Sequence, residues 1–193
     1  MYKYCMLIVG ITGGIACGKS MVSNYLLSLG YPVIDADEEV KALYQTQETK
    51  DFILNTFGTL DKRELRSIVF NDAKLKRVLE QHLHPRVYHN ILLKIQKQQR
   101  QNQAPFLFVV IPLLFESRHL YPFDHVCCIS CSPQVQLQRL MARDSQTAQM
   151  SQKIIDQQLP LAYKESQSNY VIHNNQSQDQ LKQDIDSWLK KLM

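Results

Sequence analysis

The 193-residue chain predicts an α/β fold built on a five-stranded parallel sheet, and three observations carry that prediction. Short, almost wholly apolar runs recur along the chain, as strands buried on both faces require. Between them lie segments with apolar residues at helical spacing. The first apolar run also leads, through a glycine-rich bend, straight into the first such helix.

Met6-Leu7-Ile8-Val9 reads as the first strand, stopped by Thr12-Gly13-Gly14. Val22, Leu26 and Leu29, with Tyr25 beside them, mark one face of the next helix, and Gly30 sits where a helix-ending glycine belongs. Pro32-Val33-Ile34 reads as a short second strand ending in Asp35-Ala36-Asp37. From about 38 to 100 the pattern is helical, with Leu65, Ile68 and Val69, then Leu75, Val78 and Leu79, at helical spacing. His84-Pro85 reads as a helix start with proline in the first turn. Ile91, Leu92 and Ile95 extend an apolar face until the polar stretch from Gln96 to Gln103. Phe106 to Ile111 is the third buried strand, ended by Pro112, and Asp124 to Ile129 the fourth. Pro133 opens a helix bearing Leu137 and Leu140, and a glutamine-rich helical stretch covers about 145 to 165. Tyr170-Val171-Ile172 is the last strand. Ser177-x-x-Gln180 is a capping box for a final helix with the stripe Leu181, Ile185, Trp188 and Leu189. The sum is a parallel sheet with a helical insertion after strand two.

Hydrophobic content of 45% and charge of 21% are those of an ordinary globular chain able to hold one core and an inserted subdomain. A net charge of +4, with no dense Lys/Arg patch, suits anionic small molecules and does not call for nucleic acid. No apolar run reaches the ~18 residues of a membrane span, and no signal-peptide cleavage site follows the first run, so a cytoplasmic protein is expected. Oligomeric state is not written in the pattern; a monomer or weak homo-oligomer is the expectation. Five cysteines, an odd number, argue against a disulfide framework. His125-x-Cys127-Cys128-x-x-Cys131 superficially resembles a zinc cluster, yet alternation along a strand sends neighbouring thiols to opposite faces, and core packing is the better reading. Cys17 lies close to a helix N-terminus, which lowers a thiol's pKa and would make it sensitive to oxidation.

The chemistry concentrates at Gly13-Gly14-Ile15-Ala16-Cys17-Gly18-Lys19-Ser20, which fits the phosphate-loop pattern G-x-x-x-x-G-K-[ST]. Glycines let successive backbone N–H groups turn inward as an anion nest, since a Cβ there would block the phosphate. Lys19 can then reach the β- and γ-phosphates, Ser20 can ligate Mg²⁺, and the following helix points its positive end at the same anion. Asp35 and Asp37 stand at the carboxyl end of a predicted parallel strand, where open α/β sheets bind ligands. Alternation puts both carboxylates on one side unless the turn has already begun. Capping the helix that begins at Glu38 is the alternative role for either one, and Asp37 is the favoured general base. Arg139 and Arg143, four residues apart on a helix, project from one face and could neutralise a transferring phosphoryl group.

Several landmarks resemble the dephospho-coenzyme A kinase family, in order over nearly the whole chain. They are the loop with Thr12, the Val33-Ile34-Asp35-Ala36-Asp37 run, Phe57-Gly58, Leu65-x-x-Ile68-Val69-Phe70 and His84-Pro85. Pro112-Leu113-Leu114-Phe115-Glu116, Gln136-x-x-Arg139-x-x-x-Arg143-Asp144, Gln157, Lys164 and Val171-Ile172-x-Asn174 complete the set. The resemblance implies a three-layer P-loop NTPase fold. Its nucleotide-binding core would take in 1–37 and 104–193, with a helical lid at about 139–165, and 38–103 would be a helical domain for the acceptor.

It also implies transfer of the ATP γ-phosphoryl to the ribose 3′-hydroxyl of dephospho-CoA, with Mg²⁺, giving CoA and ADP. ATP contacts would come from Gly13, Gly14, Ile15, Ala16, Cys17, Gly18, Lys19, Ser20 and Met21, with Arg139, Arg143 and Asn174, the last near the adenine. Acceptor contacts would come from Asp37, Lys62, His84, Pro112, Leu113 and Leu114, and Asp37, Lys19 and Arg143 would carry catalysis.

Some positions depart from the family pattern. Ala16-Cys17 replaces a usual Gly-Ser pair, which a nest accepts if the Ala16 φ stays negative, and Met21 replaces threonine. Lys41 and Lys62 stand where arginine is frequent, and lysine cannot form a bidentate fork on phosphate. Strand three ends in Val110-Ile111, without the carboxylate many related enzymes have there. Two other classes share part of this pattern. A kinase for a nucleotide or sugar acid would have the loop and the lid. A GTPase-like switch would need the Asn-Lys-x-Asp and Asp-x-x-Gly signatures, which the sequence lacks.

Overall fold

In the computed structural model, residues 6–101, 103–117 and 119–192 are described; Cys5 and Asn102, which enter the readings above, lie outside them. The described chain divides into two compact units. One runs up to Ile34 and resumes at Lys97; the other is Asp35–Gln96.

The first unit is built on β1 (Leu7–Gly13), β2 (Val33–Asp35), β3 (Phe106–Val110), β4 (His125–Ser130) and β5 (Tyr170–His173), in the order β2-β3-β1-β4-β5. β1 pairs parallel with both β3 and β4, and β4 pairs parallel with β5. The central strand therefore has a crossover partner on each side, and its carboxyl end opens at the point where strand order reverses, the place where open sheets bind ligands. Asp124 fixes the start of the β1–β4 pairing, accepting from the Ile8 N–H at 2.7 Å while its own N–H donates to the Ile8 carbonyl.

Period-two alternation sorts the strands into two faces. Val9, Ile11, Phe106, Phe108, Val110, Cys127, Ile129 and Ile172 belong to one core cluster with Val22 and Leu26 of α1 (Lys19–Ser28) and Leu181, Ile185, Trp188 and Leu189 of α9 (Gln178–Leu192). The predicted stripe of the last helix is thus the buried one, and Ser177 Oγ accepts from the Gln180 N–H as the capping box requires. α8 (Leu161–Ser166) contacts β1 and β4. There its Glu165 accepts from the hydroxyl of Ser130, a residue of the other alternation phase. Helices on both faces of a parallel sheet make the three layers the sequence implied.

α1 ends as expected. Gly30 has φ +85°, its N–H donates to Leu27 O, and Tyr31 N–H donates to Leu26 O, the pairing of a Schellman motif. Leu29, read as part of the buried face, is 44% exposed; it is the C-cap, where the helical repeat no longer sets direction.

The second unit holds α2 (Ala36–Leu43), α3 (Gln47–Phe57), α4 (Lys62–Asn71) and most of α5 (Ala73–Gln101). Here His84-Pro85 is not a helix start: α5 runs unbroken through Pro85. Leu79, Leu83, Val87, Ile91 and Ile95 recur every four residues and are all buried, so one continuous apolar stripe outweighs the single missing N–H. Arg86 Nη1 donates to the His82 carbonyl at 2.8 Å, adding a bond at the turn the proline weakens. Within the same unit, Phe52 and His82 stack at 3.7 Å and 3°.

Candidate functional site

The loop between β1 and α1 takes the conformation its composition dictates. Gly13 (φ +141°) and Gly18 (φ +102°) occupy backbone regions that favour glycine. A Cβ on Gly13 would stand 2.0 Å from the Ile129 carbonyl oxygen, and one on Gly18 would stand 2.3 Å from Asn174 Nδ2. These glycines are therefore required by the protein's own close packing. Ala16 overturns the expectation of negative φ: it sits at φ +60°, so the alanine holds a left-handed position at a steric cost of about 1–2 kcal/mol.

Gly18 is the N-cap of α1 and supplies no side-chain bond to the first turn. The helix's leading amides and positive end are left to an anion. Lys19 lies back over the loop, its Nζ donating to the Gly13 and Gly14 carbonyls at 3.1 and 2.9 Å. Ser20 and Met21 are exposed on the first turn.

Three side chains brace the loop from outside it, and a fourth, Arg139, holds one of the three. Gln136 Nε2 donates to the Ile15 carbonyl at 2.9 Å, and the Ile15 N–H donates to Gln158 Oε1 at 3.0 Å. Asn174, 2% exposed, donates from Nδ2 to the Cys17 carbonyl at 2.9 Å, while its own carbonyl accepts from Arg139 Nη1 at 2.8 Å. Gln136 and Arg139 sit on α6 (Pro133–Asp144), and Gln158 sits in the turn after α7 (Ala148–Asp156). A cavity of about 310 Å³ lies here, bordered by Gly14, Gln136, Ile155, Gln158 and Leu161. Gln158 was missed by sequence reasoning, which singled out Gln157; Gln157 instead forms the C-cap of α7.

Arg139 and Arg143 do not act as a matched pair. Arg139 holds the Asn174 backbone, whereas Arg143, about half exposed, meets Asp144 at 2.7 Å, a contact that raises its pKa. Cys17 also reverses its expectation. Its thiol is pushed up, by the contact with Cys131 and then by burial, so the helix N-terminus does not activate it. Cys127 and Cys128 are buried on β4, and burial raises both, Cys128 to about 11. Among the described residues no three metal-type ligands converge.

Pro112, Leu113 and Leu114 follow β3, with Leu113 47% exposed. Next to them Glu116 pairs with Lys164 of α8 at 2.6 Å. The remaining predicted residues belong to the second unit. The helical turn begins at Ala36, earlier than expected, so alternation no longer applies to the two aspartates. Asp35 is the cap of α2, its Oδ1 accepting from the Asp37 N–H at 2.8 Å, and burial raises its carboxyl. Asp37 is exposed on the first turn of α2. Lys62 is exposed in the first turn of α4, behind the Asp61 cap, and His84 is exposed in mid-helix on α5.

A parallel sheet of this strand order, with a braced phosphate loop at the end of its central strand, defines a nucleotide-binding protein of the P-loop kinase type. A solved shikimate kinase from Acinetobacter baumannii shares this fold at a TM-score of 0.53 and 17% identity, covering 97% of this chain and 95% of that one. The dephospho-CoA kinase family model matches residues 7–180, and the chain belongs to that family.

It is 36% identical over 194 residues to a dephospho-CoA kinase of Oceanobacillus iheyensis, covering 96% of this chain and 97% of the relative. A dephospho-CoA kinase domain-containing protein of Danio rerio is 35% identical over 184 residues, with 90% of this chain and 80% of the relative covered. Among solved structures, one from Thermus thermophilus superposes at a TM-score of 0.82 with 28% identity, covering 97% and 98% of the two chains. A dephospho-CoA kinase from Campylobacter jejuni gives 0.72 and 28%, covering 96% of each.

Proposed function

We propose that this chain transfers the γ-phosphoryl of ATP to the ribose 3′-hydroxyl of dephospho-CoA, releasing CoA and ADP. The observation that carries this reading is the braced loop itself, an uncapped helix N-terminus with Lys19 laid across it, in a chain of this family. Phosphoryl transfer needs little covalent help from the protein; positioning and charge stabilisation supply the rate. In this reading the loop from Gly13 to Met21 holds the phosphates, with Lys19 reaching the transferring group, and Asn174 lies near the adenine. Arg139 keeps Asn174 in place, and Arg143 offsets charge on the phosphoryl oxygens. Asp37 accepts the proton of the attacking hydroxyl, and Lys62, His84, Pro112, Leu113 and Leu114 contact the acceptor in and around the helical unit.

Mg²⁺ fits the donors present. The Ser20 hydroxyl is exposed on the turn that follows Lys19, and oxygen donors of this kind suit a hard cation. The ion would supply neutralisation of phosphate charge when bound. The reading assigns the reaction to the cytoplasm, with a monomer or weak homo-oligomer acting on two small molecules and no nucleic acid.

The test is an ADP-release assay with MgATP and a panel of acceptors. Turnover with dephospho-CoA and none with shikimate or nucleosides is the expected outcome. ADP release with another metabolite and none with dephospho-CoA would overturn the assignment.

A further inference from the structure

The phosphate loop contains a thiol that its chemistry does not use, and a second thiol lies against it. Cys17 Sγ and Cys131 Sγ are 3.1 Å apart. The two are distant in sequence but converge for a topological reason. Cys17 turns inward from the loop after β1, and Cys131 is the first residue after β4, the strand paired alongside β1. Both belong to the same core cluster, Cys17 with no exposure and Cys131 with 4%.

We propose that Cys17 and Cys131 are an oxidisable pair, and that closing them into a disulfide weakens the loop's hold on ATP phosphates. The geometry states where the strain goes. A disulfide needs its sulfurs about 2.05 Å apart, so the pair must close by about 1 Å. Cys131 stands on fixed ground. β4 is held on both sides by β1 and β5, and the adjacent Ser130 carbonyl and Ser132 N–H bond to Asn174 and Asn175. The loop carries the movement instead, and with it the Cys17 backbone, whose N–H donates to the Gly14 carbonyl and whose carbonyl accepts from Asn174.

Cys131 is the thiol that reacts first. The contact with Cys17, with Arg139 and Lys19 nearby, lowers its pKa from the ordinary thiol value against the opposing effect of burial, whereas that of Cys17 is raised. The Cys131 thiolate displaces hydroxide from hydrogen peroxide to give a sulfenic acid. Cys17 sulfur then attacks that sulfur and expels water, so two thiols and one peroxide give one disulfide and two waters. Deep burial makes the step slow and restricts it to small oxidants.

The mass change is independent of the proposed kinase reaction; the effect on ATP rests on the nucleotide reading. The full-length protein is treated with hydrogen peroxide, and its intact mass, fragment spectra and calorimetric ATP affinity are measured. The expected product is lighter by two hydrogens, joins Cys17 to Cys131, and binds ATP at least tenfold more weakly until dithiothreitol restores it. By linkage, saturating MgATP shifts the dithiol–disulfide equilibrium toward the free thiols, so the bond is reduced at a lower dithiothreitol concentration. Cys131→Ser and Cys131→Ala keep their ATP affinity through the same treatment.

Persistently free thiols, a bond between other cysteines, or an unchanged ATP affinity in the linked protein would overturn the proposal. Absent ATP binding before oxidation counts against the nucleotide reading, and the mass still decides the disulfide.

Discussion

Lys164 has no solvent exposure, and its ammonium is balanced by Glu116 at 2.6 Å. Glu116 also accepts from the Leu159 N–H at 3.1 Å, so one carboxylate ties α8, the turn before it and the segment after β3 together. Removing the lysine leaves that carboxylate largely buried without its counter-charge. Lys164→Met is expected to cost about 3 kcal/mol, the range for breaking a buried pair. By calorimetry that is a fall in Tm of roughly 6–12 °C for a chain of this size. Adding Glu116→Gln removes the orphaned charge and recovers part of the loss. A Lys164→Met protein melting with the parent would show the pair to be energetically silent.

Ala16 at φ +60° gives a prediction of opposite sign. Ala16→Gly relieves about 1–2 kcal/mol of left-handed strain and adds about 0.4–1 kcal/mol of unfolded-state entropy cost. The net gain is about 1 kcal/mol, a rise in Tm of about 2–4 °C. A fall in Tm on this substitution contradicts the strain.

These two positions mark how far the sequence could be read. The loop, the strands and the final helix were legible because apolar runs, glycine positions and a capping box are local signals. Pro85 misled because its local meaning, a helix start, is overridden by a stripe from Leu79 to Ile95 that is visible only over five turns. Asp35 and Asp37 stood out in the sequence, but which one caps depended on the helix beginning at Ala36, an edge no residue type announces. Gln158 and Cys131 act on the loop across 143 and 114 residues, and nothing in a single chain reveals such a contact before it folds.

His82 offers a test by pH. Its ring stacks on Phe52, its Nε2 is buried without a hydrogen-bond partner among the described residues, and burial lowers its pKa from 6.5. Arg86 lowers it further, and Glu48 opposes both. A histidine with a depressed folded pKa binds fewer protons folded than unfolded, so its contribution is present above about 6.5 and lost as pH falls below that value. His82→Phe keeps the stack and removes the titration. Urea melts at pH 8 and pH 5 should show a smaller acid-side loss for this variant than for the parent. Equal losses would remove His82 from the acid sensitivity.

Arg139 and Arg143 should separate kinetically. Arg139 grips Asn174, which in turn grips the Cys17 carbonyl, so Arg139→Ala is expected to raise KM for ATP with a smaller effect on kcat. Arg143 pairs only with its neighbour Asp144 among the bonds described, and its proposed work is on transition-state charge. Arg143→Ala should lower kcat on the order of 10²-fold with KM for ATP nearly kept. Identical profiles for the two variants would argue for one shared role.

The two aspartates give the sharpest contrast. The Asp35 carboxylate is spent on the Asp37 N–H as a helix cap, whereas the Asp37 carboxylate is exposed on the first turn of α2. Asp35→Ala should therefore cost about 1 kcal/mol of stability, the usual value of a cap. Asp37→Asn should leave melting nearly unchanged and lower kcat by about 10²–10⁴, the range for loss of a general base. Steady-state ADP release with dephospho-CoA, read beside thermal melts of both proteins, decides the assignment. If Asp37→Asn turns over at the parental rate, the proton must leave by another route, and Asp37 keeps only a structural place in the first turn of α2.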